Sequence, residues 1–190
     1  MGKYQQDAVQ LLELVGGKEN IAAVSHCVTR MRFVLNDPGK VELSAYLSGR
    51  VMPITNVPDQ VFSQKTLGDG IAIEPTDSVL VAPADGEITM VSEDINHACG
   101  ILLDNGAEIL LHIGLDTVDM NGDGFRPFVK AGDRVKKGDK LIAFDPAKIR
   151  AAGHPCTTIL VVTEEAEQPV AFRTGMTAAA GKTEIVTIGE

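Results

Sequence analysis

From Leu43 onward, short apolar runs recur along the chain with Gly, Pro, Asn or Asp between them. They are Gly49-Arg50-Val51, Gly70–Ile73, Ser78–Ala82, Gly86–Val91, Ile101–Leu103, Ala107–Leu111, Phe128-Val129, Lys140–Phe144, Thr157–Thr163 and Glu184–Ile188. Runs of this length, about 8–12 residues apart and punctuated by turn formers, predict the short strands of a sandwich or barrel. One later helix is expected at Pro146–Ala152, with Asp145 as its N-cap, Pro146 in the first turn and Gly153 as its stop. Within the β pattern, the stretch Asn96 to Asp119 reads as a hairpin. Its Asn105-Gly106 pair separates two apolar arms, and both residues tolerate the positive φ that a tight turn requires. Closing that turn makes His97 and His112 candidate neighbours, although fifteen positions separate them.

The first forty residues follow another pattern. Ala8, Leu11, Leu12 and Val15 have helical spacing and end at Gly16-Gly17. Lys18-Glu19-Asn20 begins a second short element. Ser25 to Leu35 alternates as a strand until Asn36-Asp37-Pro38-Gly39 breaks it. One helix and one strand cannot enclose a core, so this piece must dock on something or be poorly ordered.

Composition narrows the function classes. The chain has 190 residues, enough for one domain or one domain plus a fragment. Hydrophobic residues make up 44%, aromatics only 4%, and there is no Trp, so the core must be aliphatic. The formal charge is −9; residues 1–40 contribute +1 (five basic, four acidic) and residues 41–190 contribute −10 (twelve basic, twenty-two acidic). An acidic body argues against a nucleic-acid partner. No apolar run approaches the roughly 20 residues of a membrane span, and the N-terminus lacks the apolar stretch of a signal peptide. Cys27, Cys99 and Cys156 lie far apart without CxxC spacing, which suits a reducing compartment. A cytoplasmic protein without direct membrane insertion is expected.

The candidate chemistry centres on His97 and His112, each near a glycine (Gly100, Gly114). A single His beside an apolar run is ordinarily a packed core residue. Two that meet can bind a metal, perform acid–base work or carry a phosphoryl group on a ring nitrogen. A closed metal site would need more ligands, and only Cys99 and Asp116 lie near in sequence, so zinc is the weaker option. Phosphoryl transfer fits better, because aliphatic surroundings exclude water and a second imidazole can hydrogen-bond the phosphoryl oxygens. Cys27 lies in His26-Cys27-Val28-Thr29-Arg30-Met31-Arg32. It is either an inert small hydrophobe or a nucleophile activated by His26, Arg30 and Arg32. The glycines of Gly122-Asp123-Gly124 and of the stretch Lys130 to Asp139 are spaced as turns and read as structural. His154 and Cys156 are assigned no role.

From Leu43 to the C-terminus the chain resembles the glucose/beta-glucoside-type enzyme IIA domain of the bacterial phosphoenolpyruvate-dependent sugar phosphotransferase system. The resemblance is carried by Val57-Pro58-Asp59-Gln60-Val61-Phe62, Leu67-Gly68-Asp69-Gly70, Val81-Ala82-Pro83-Ala84-Asp85-Gly86, Asn96-His97-Ala98, Leu111-His112-Ile113-Gly114-Leu115-Asp116-Thr117-Val118 and Gly132-Asp133-Arg134-Val135. It implies a mainly β fold, an antiparallel β-sandwich with short helices, over residues 43–190. It also implies that His112 is the phosphorylated residue and that His97 hydrogen-bonds the phosphoryl group. A Thr or another small residue commonly stands near the first histidine, where this chain has Ile95. A hydrogen bond ordering the histidines is therefore either missing or supplied from elsewhere.

Residues 1–42 resemble the start of an enzyme IIB domain through Leu14–Ile21 and His26–Phe33, with Cys27 at the phosphoryl-acceptor position. The later strands and second helix of that domain are absent, which leaves a partial helix–strand segment. Together the resemblances imply a phosphocarrier that accepts a phosphoryl group from phosphorylated HPr on His112. It would pass the group to a IIB cysteine of a sugar permease, whose IIC domain is in the membrane and to which the chain could be peripheral. No metal or cofactor is needed for that transfer. The alternative is a regulatory module whose partner binding depends on its phosphorylation state.

Overall fold

The computed structural model of the chain describes residues 8–9, 11–12, 17–26, 31–35, 39–163 and 169–189, with backbone only for 25–26 and 31–35. The chain divides into two compact units, Met1–Gly39 and Lys40–Glu190.

In the first unit, Ala8, Val9, Leu11 and Leu12 are helical. Gly17, at φ 90°, donates its N–H to Leu12 O at 2.6 Å, closing the helix end as a glycine stop does. Two strands follow, β1 (Ile21–His26) and β2 (Met31–Leu35), paired antiparallel with Val24 opposite Phe33 and His26 opposite Met31. The single strand expected over Ser25–Leu35 is therefore a reversal. The two arms share β-type composition, and residues 27–30 between them contain no Gly or Pro to mark a turn. Cys27 lies outside the described residues.

The second unit begins with β3 (Val41–Ser44), β4 (Gly49–Pro53), β5 (Asp69–Pro75), β6 (Val79–Val81), β7 (Gly86–Val91), β8 (Ala98–Leu103) and β9 (Glu108–His112). It continues with β10 (Phe125–Pro127), β11 (Arg134-Val135), β12 (Lys140–Phe144), β13 (Thr158–Val162), β14 (Val170–Phe172), β15 (Thr177-Ala178) and β16 (Glu184–Ile188). An eight-stranded sheet in the order β11-β7-β8-β9-β13-β5-β4-β15 is accompanied by three-stranded sheets β10-β12-β6 and β14-β16-β3. Every pairing is antiparallel. This is the antiparallel sandwich that the family resemblance implied, and it decides between the sandwich and barrel left open by the strand rhythm.

The core is aliphatic, as the composition demanded. Ile71, Ile73, Ile101, Ile109, Leu111 and Leu160 of the large sheet join Leu43, Leu80, Leu141 and Ile188 of the small sheets in one buried cluster. A second cluster lies on the opposite side of the central strands, where Ala72, Ile159 and Val161 meet Ile54, Val57 and Phe62. β13 is therefore buried along its whole length, since both of its faces are covered. β9 alternates instead: Ile109 and Leu111 enter the main cluster, while Leu110 packs with the second. His112 follows Leu110 at a spacing of two, so it shares that face.

Three local expectations changed. The turn of the β8–β9 hairpin has three residues, Asp104 to Gly106, because Leu103 N–H still bonds Ala107 O at 2.8 Å. Only Gly106 has positive φ (87°); Asn105 instead accepts the Ala107 N–H on its side-chain oxygen at 3.2 Å. The strand expected at Phe128-Val129 is displaced to Phe125–Pro127, opposite Ile142–Phe144. Pro127 has no N–H to donate, yet Phe128 N–H still bonds Leu141 O at 2.8 Å, one step past the strand, with the Arg126 guanidinium 4.8 Å over the Phe128 ring. A helix missed in the sequence, Gln60–Ser63, is capped by Asp59, which accepts the Phe62 N–H at 3.0 Å. The late helix stands at Pro146–Ala151 with Asp145 capping Ala147 and Lys148, as expected. Among the described residues no helix is long and apolar enough to cross a membrane.

Candidate functional site

The hairpin brings the two histidines together. Ala98 stands opposite His112 in the β8–β9 ladder, and His97 O accepts the Ile113 N–H at 2.8 Å, extending the pairing one step past the strand. The ring centroids are 4.6 Å apart with planes at 88°, an edge-on arrangement. Phe62, presented by helix Gln60–Ser63, covers His112 at 5.2 Å between centroids. Phe125 lies against His97 at 6.5 Å. His97 is only 8% exposed.

Each ring is anchored through Nδ1. On His112 this nitrogen lies 2.9 Å from Gly114 O. A carbonyl can only accept, so Nδ1 carries the proton and Nε2 keeps its lone pair. Gly114 sits at φ 73°, and a Cβ there would run into Thr117 Cγ2. The carbonyl is therefore aimed by a conformation that favours glycine, backed by a close contact. Thr117, fully buried, donates its hydroxyl to Ile113 O at 2.6 Å, and Leu115 N–H bonds Pro155 O at 3.1 Å. The segment that carries the Gly114 carbonyl is thus fixed on both sides.

On His97 the anchor is Ser92, whose Oγ lies 3.3 Å from Nδ1. Ile95, the residue flagged in the sequence, contributes no polar side-chain atom, so the ordering hydrogen bond comes from three positions upstream.

The electrostatics keep both rings neutral near pH 7. Burial pulls His97 down to about 4, helped by repulsion from His112. Burial also lowers His112, opposed by the Gly114 hydrogen bond and by the nearby Asp59 carboxylate. The site thus offers an unprotonated imidazole nitrogen as a nucleophile and a second neutral imidazole beside it. Val61 and Val118, 47% and 48% exposed, give the elements that flank His112 an apolar outer surface.

Other candidates fall elsewhere. Cys99 is fully buried in the main cluster, where desolvation raises its thiol to about 12. Asp116 is exposed, and neither residue joins the imidazoles in a group of three donors among the described residues. Cys156 is buried against Pro146 O at 3.6 Å. The Lys130 to Asp139 stretch forms two turns, in which Asp133 and Asp139 accept the Lys130 and Lys136 N–H groups. Three residues of the site, Phe62, Phe125 and Ser92, went unassigned in the sequence. Phe62 could have been found from the Pro58-Asp59 helix start ahead of it. Ser92 had no signal, because its role depends on a loop folding back.

Comparison with known proteins agrees with the geometry. Residues 41–168 match the family model described as phosphoenolpyruvate-dependent sugar phosphotransferase system, EIIA 1. Residues 9–42 match the model described as phosphotransferase system, EIIB. The chain is similar to the PTS system glucose-specific EIIA component of Bacillus anthracis, 45% identical over 145 residues, covering 76% of this chain and 87% of that protein. It is also similar to the glucose-specific EIIBCA component of Corynebacterium glutamicum, 46% identical over 123 residues, covering 65% of this chain and 18% of that one. Among solved structures, glucose permease IIA from Mycoplasma capricolum matches with a TM-score of 0.70 at 29% identity, over 78% of this chain and 96% of that one.

Proposed function

Because this chain belongs to the EIIA 1 family of the phosphoenolpyruvate-dependent sugar phosphotransferase system, and is thereby a phosphotransferase component of that system, we propose that His112 is its phosphoryl acceptor. The observation that carries the reading is the Nδ1–H···O bond to Gly114, which reserves the Nε2 lone pair for attack. In the proposed step Nε2 attacks the phosphorus of a phosphohistidine donor in line. The new N–P bond forms as the donor's N–P bond breaks, and the donor ring nitrogen keeps that electron pair. No proton has to leave His112, since the attacking nitrogen is already bare. His97 donates a hydrogen bond to the transferring oxygens, and its neutral ring costs no charge repulsion before the phosphoryl group arrives. Phe62 and Phe125 keep water from the phosphohistidine.

The donor in this reading is phosphorylated HPr, docking on the apolar surface that includes Val61 and Val118. The recipient is a IIB cysteine of a sugar permease with a membrane IIC domain. We read residues 1–42 as a partial IIB-like segment and 43–190 as the IIA domain. Cys27 is the matching acceptor position, but its IIB match ends at residue 42. A complete permease is therefore the recipient we infer. The test is intact-mass measurement after incubation with phosphoenolpyruvate, enzyme I and HPr. Wild type gains one phosphate and His112→Gln gains none; a labelled His112→Gln protein would refute the assignment.

A further inference from the structure

We propose that Ser92 is a positioning residue for phosphoryl transfer, holding His97 in the tautomer whose proton is on Nε2. The inference rests on the reading above, in which His112 accepts the phosphoryl group and His97 assists.

Three hydrogen bonds fix Ser92 before it touches the histidine. Its N–H donates to Ala98 O at 2.9 Å, and its carbonyl accepts the Asn96 N–H at 2.8 Å. Its hydroxyl oxygen accepts the Ala98 N–H at 3.1 Å. Asp94 and Asn96 take left-handed backbone, with φ of 62° and 57°, and so fold the intervening residues back until Ser92 meets the start of β8. Oγ accepts from Ala98, and among the described residues His97 Nδ1, 3.3 Å away, is the acceptor in reach of the hydroxyl's single proton, so the donation is assigned there. Donation there makes Nδ1 an acceptor and leaves the ring proton on Nε2, the nitrogen on the other side of the ring from Ser92.

The two clamps are opposite in sense and complementary in result. The Gly114 carbonyl accepts from His112 Nδ1 and so empties Nε2; the Ser92 hydroxyl donates to His97 Nδ1 and so loads Nε2. One ring can then attack phosphorus while the other donates to its oxygens. If Ser92 were absent, His97 could place its proton on Nδ1, and its neutral ring would meet the phosphoryl oxygens with a lone pair. Ile95 has no polar side-chain atom that could substitute, and among the described residues the His97 ring has no other hydrogen-bond partner.

The test combines nitrogen-15 histidine NMR of the unphosphorylated protein with rapid-quench transfer kinetics. In wild type, His97 should show a protonated Nε2 and an unprotonated Nδ1. A wild-type His97 with its proton on Nδ1 would overturn the proposal without any variant. Ser92→Ala should lose the single tautomer at His97 while His112 keeps its own. Its onward-transfer kcat should fall about 3- to 10-fold, the loss of one ordinary hydrogen bond, with KM for the acceptor unchanged. Ser92→Thr, which keeps the hydroxyl, should restore both readouts. An unchanged His97 tautomer in Ser92→Ala, or an onward-transfer kcat equal to wild type in that variant, would overturn the role. If His112→Gln still took up phosphate, the transfer role of Ser92 would fall with the parent reading, whatever the tautomer showed.

Discussion

Acidification from pH 7 to pH 5 should destabilise the sandwich through His97, and the size of the effect follows from its burial. The ring has an ordinary pKa of 6.5 when unfolded and one of about 4 in the fold, lowered by desolvation and by His112. The fold therefore favours the neutral ring. This contribution to stability is fully present above pH 6.5, declines as pH falls toward 4, and does not change further below that. At pH 5 the unfolded ring is almost wholly protonated while the folded ring is still mostly neutral. The linkage relation then gives a loss of about 2 kcal/mol between pH 7 and pH 5. His112, also lowered, adds to the loss with the same sign.

Urea unfolding at pH 5, 6, 7 and 8, followed by near-ultraviolet circular dichroism, would measure it, because fully buried Tyr46 reports the packing of the sandwich. For a slope of about 2 kcal/mol/M the wild-type midpoint should drop by about 1 M. His97→Gln removes the titrating ring but leaves every carboxylate in place, so its drop should be smaller by about that amount. Parallel pH curves for the two proteins would refute the burial argument, as would a His97 that titrates by NMR near 6.5.

His97→Gln should still accept phosphate on His112 but fail to pass it on, as chase of the labelled protein with a IIB domain would show; onward transfer equal to wild type would remove the helper role. Leu111→Ala, fully buried between the histidine strand and the main cluster, should lose about 2–5 kcal/mol in urea unfolding. Gly114→Ala forces a side chain into left-handed backbone and into Thr117. It should cost on the order of 1–3 kcal/mol and release the His112 tautomer in the nitrogen-15 spectrum. Asp145→Ala removes the cap of helix Pro146–Ala151 and should cost about 1 kcal/mol with phosphate uptake unchanged.

Much of this protein is written in local pattern. The strand rhythm after Leu43 announced a sandwich or barrel, because a half-buried strand must alternate and a turn must use residues that tolerate it; the family resemblance narrowed this to an antiparallel sandwich. Asp145-Pro146 and Gly153 marked their helix for the same reason: caps act over three or four residues. The pairing of His97 with His112 was legible because one hairpin joins them, and the motifs around them matched a family in order. What sequence pattern missed depends on contacts across the chain or on turns without a signature. The reversal between β1 and β2 contains no turn residue, so two strands read as one. β10 was missed at Phe125–Pro127 because those residues carry no apolar run, and their pairing with Ile142–Phe144 shows only once the partner strand is known. Which face His112 takes was decided by the helix at Gln60–Ser63, some fifty residues upstream. The protonation of the two rings was decided by a carbonyl that Gly114 aims and by a hydroxyl that reaches His97 only after Asp94 and Asn96 turn the chain back. Residue types placed two histidines side by side; the tertiary hydrogen bonds determined which nitrogen of each carries the proton.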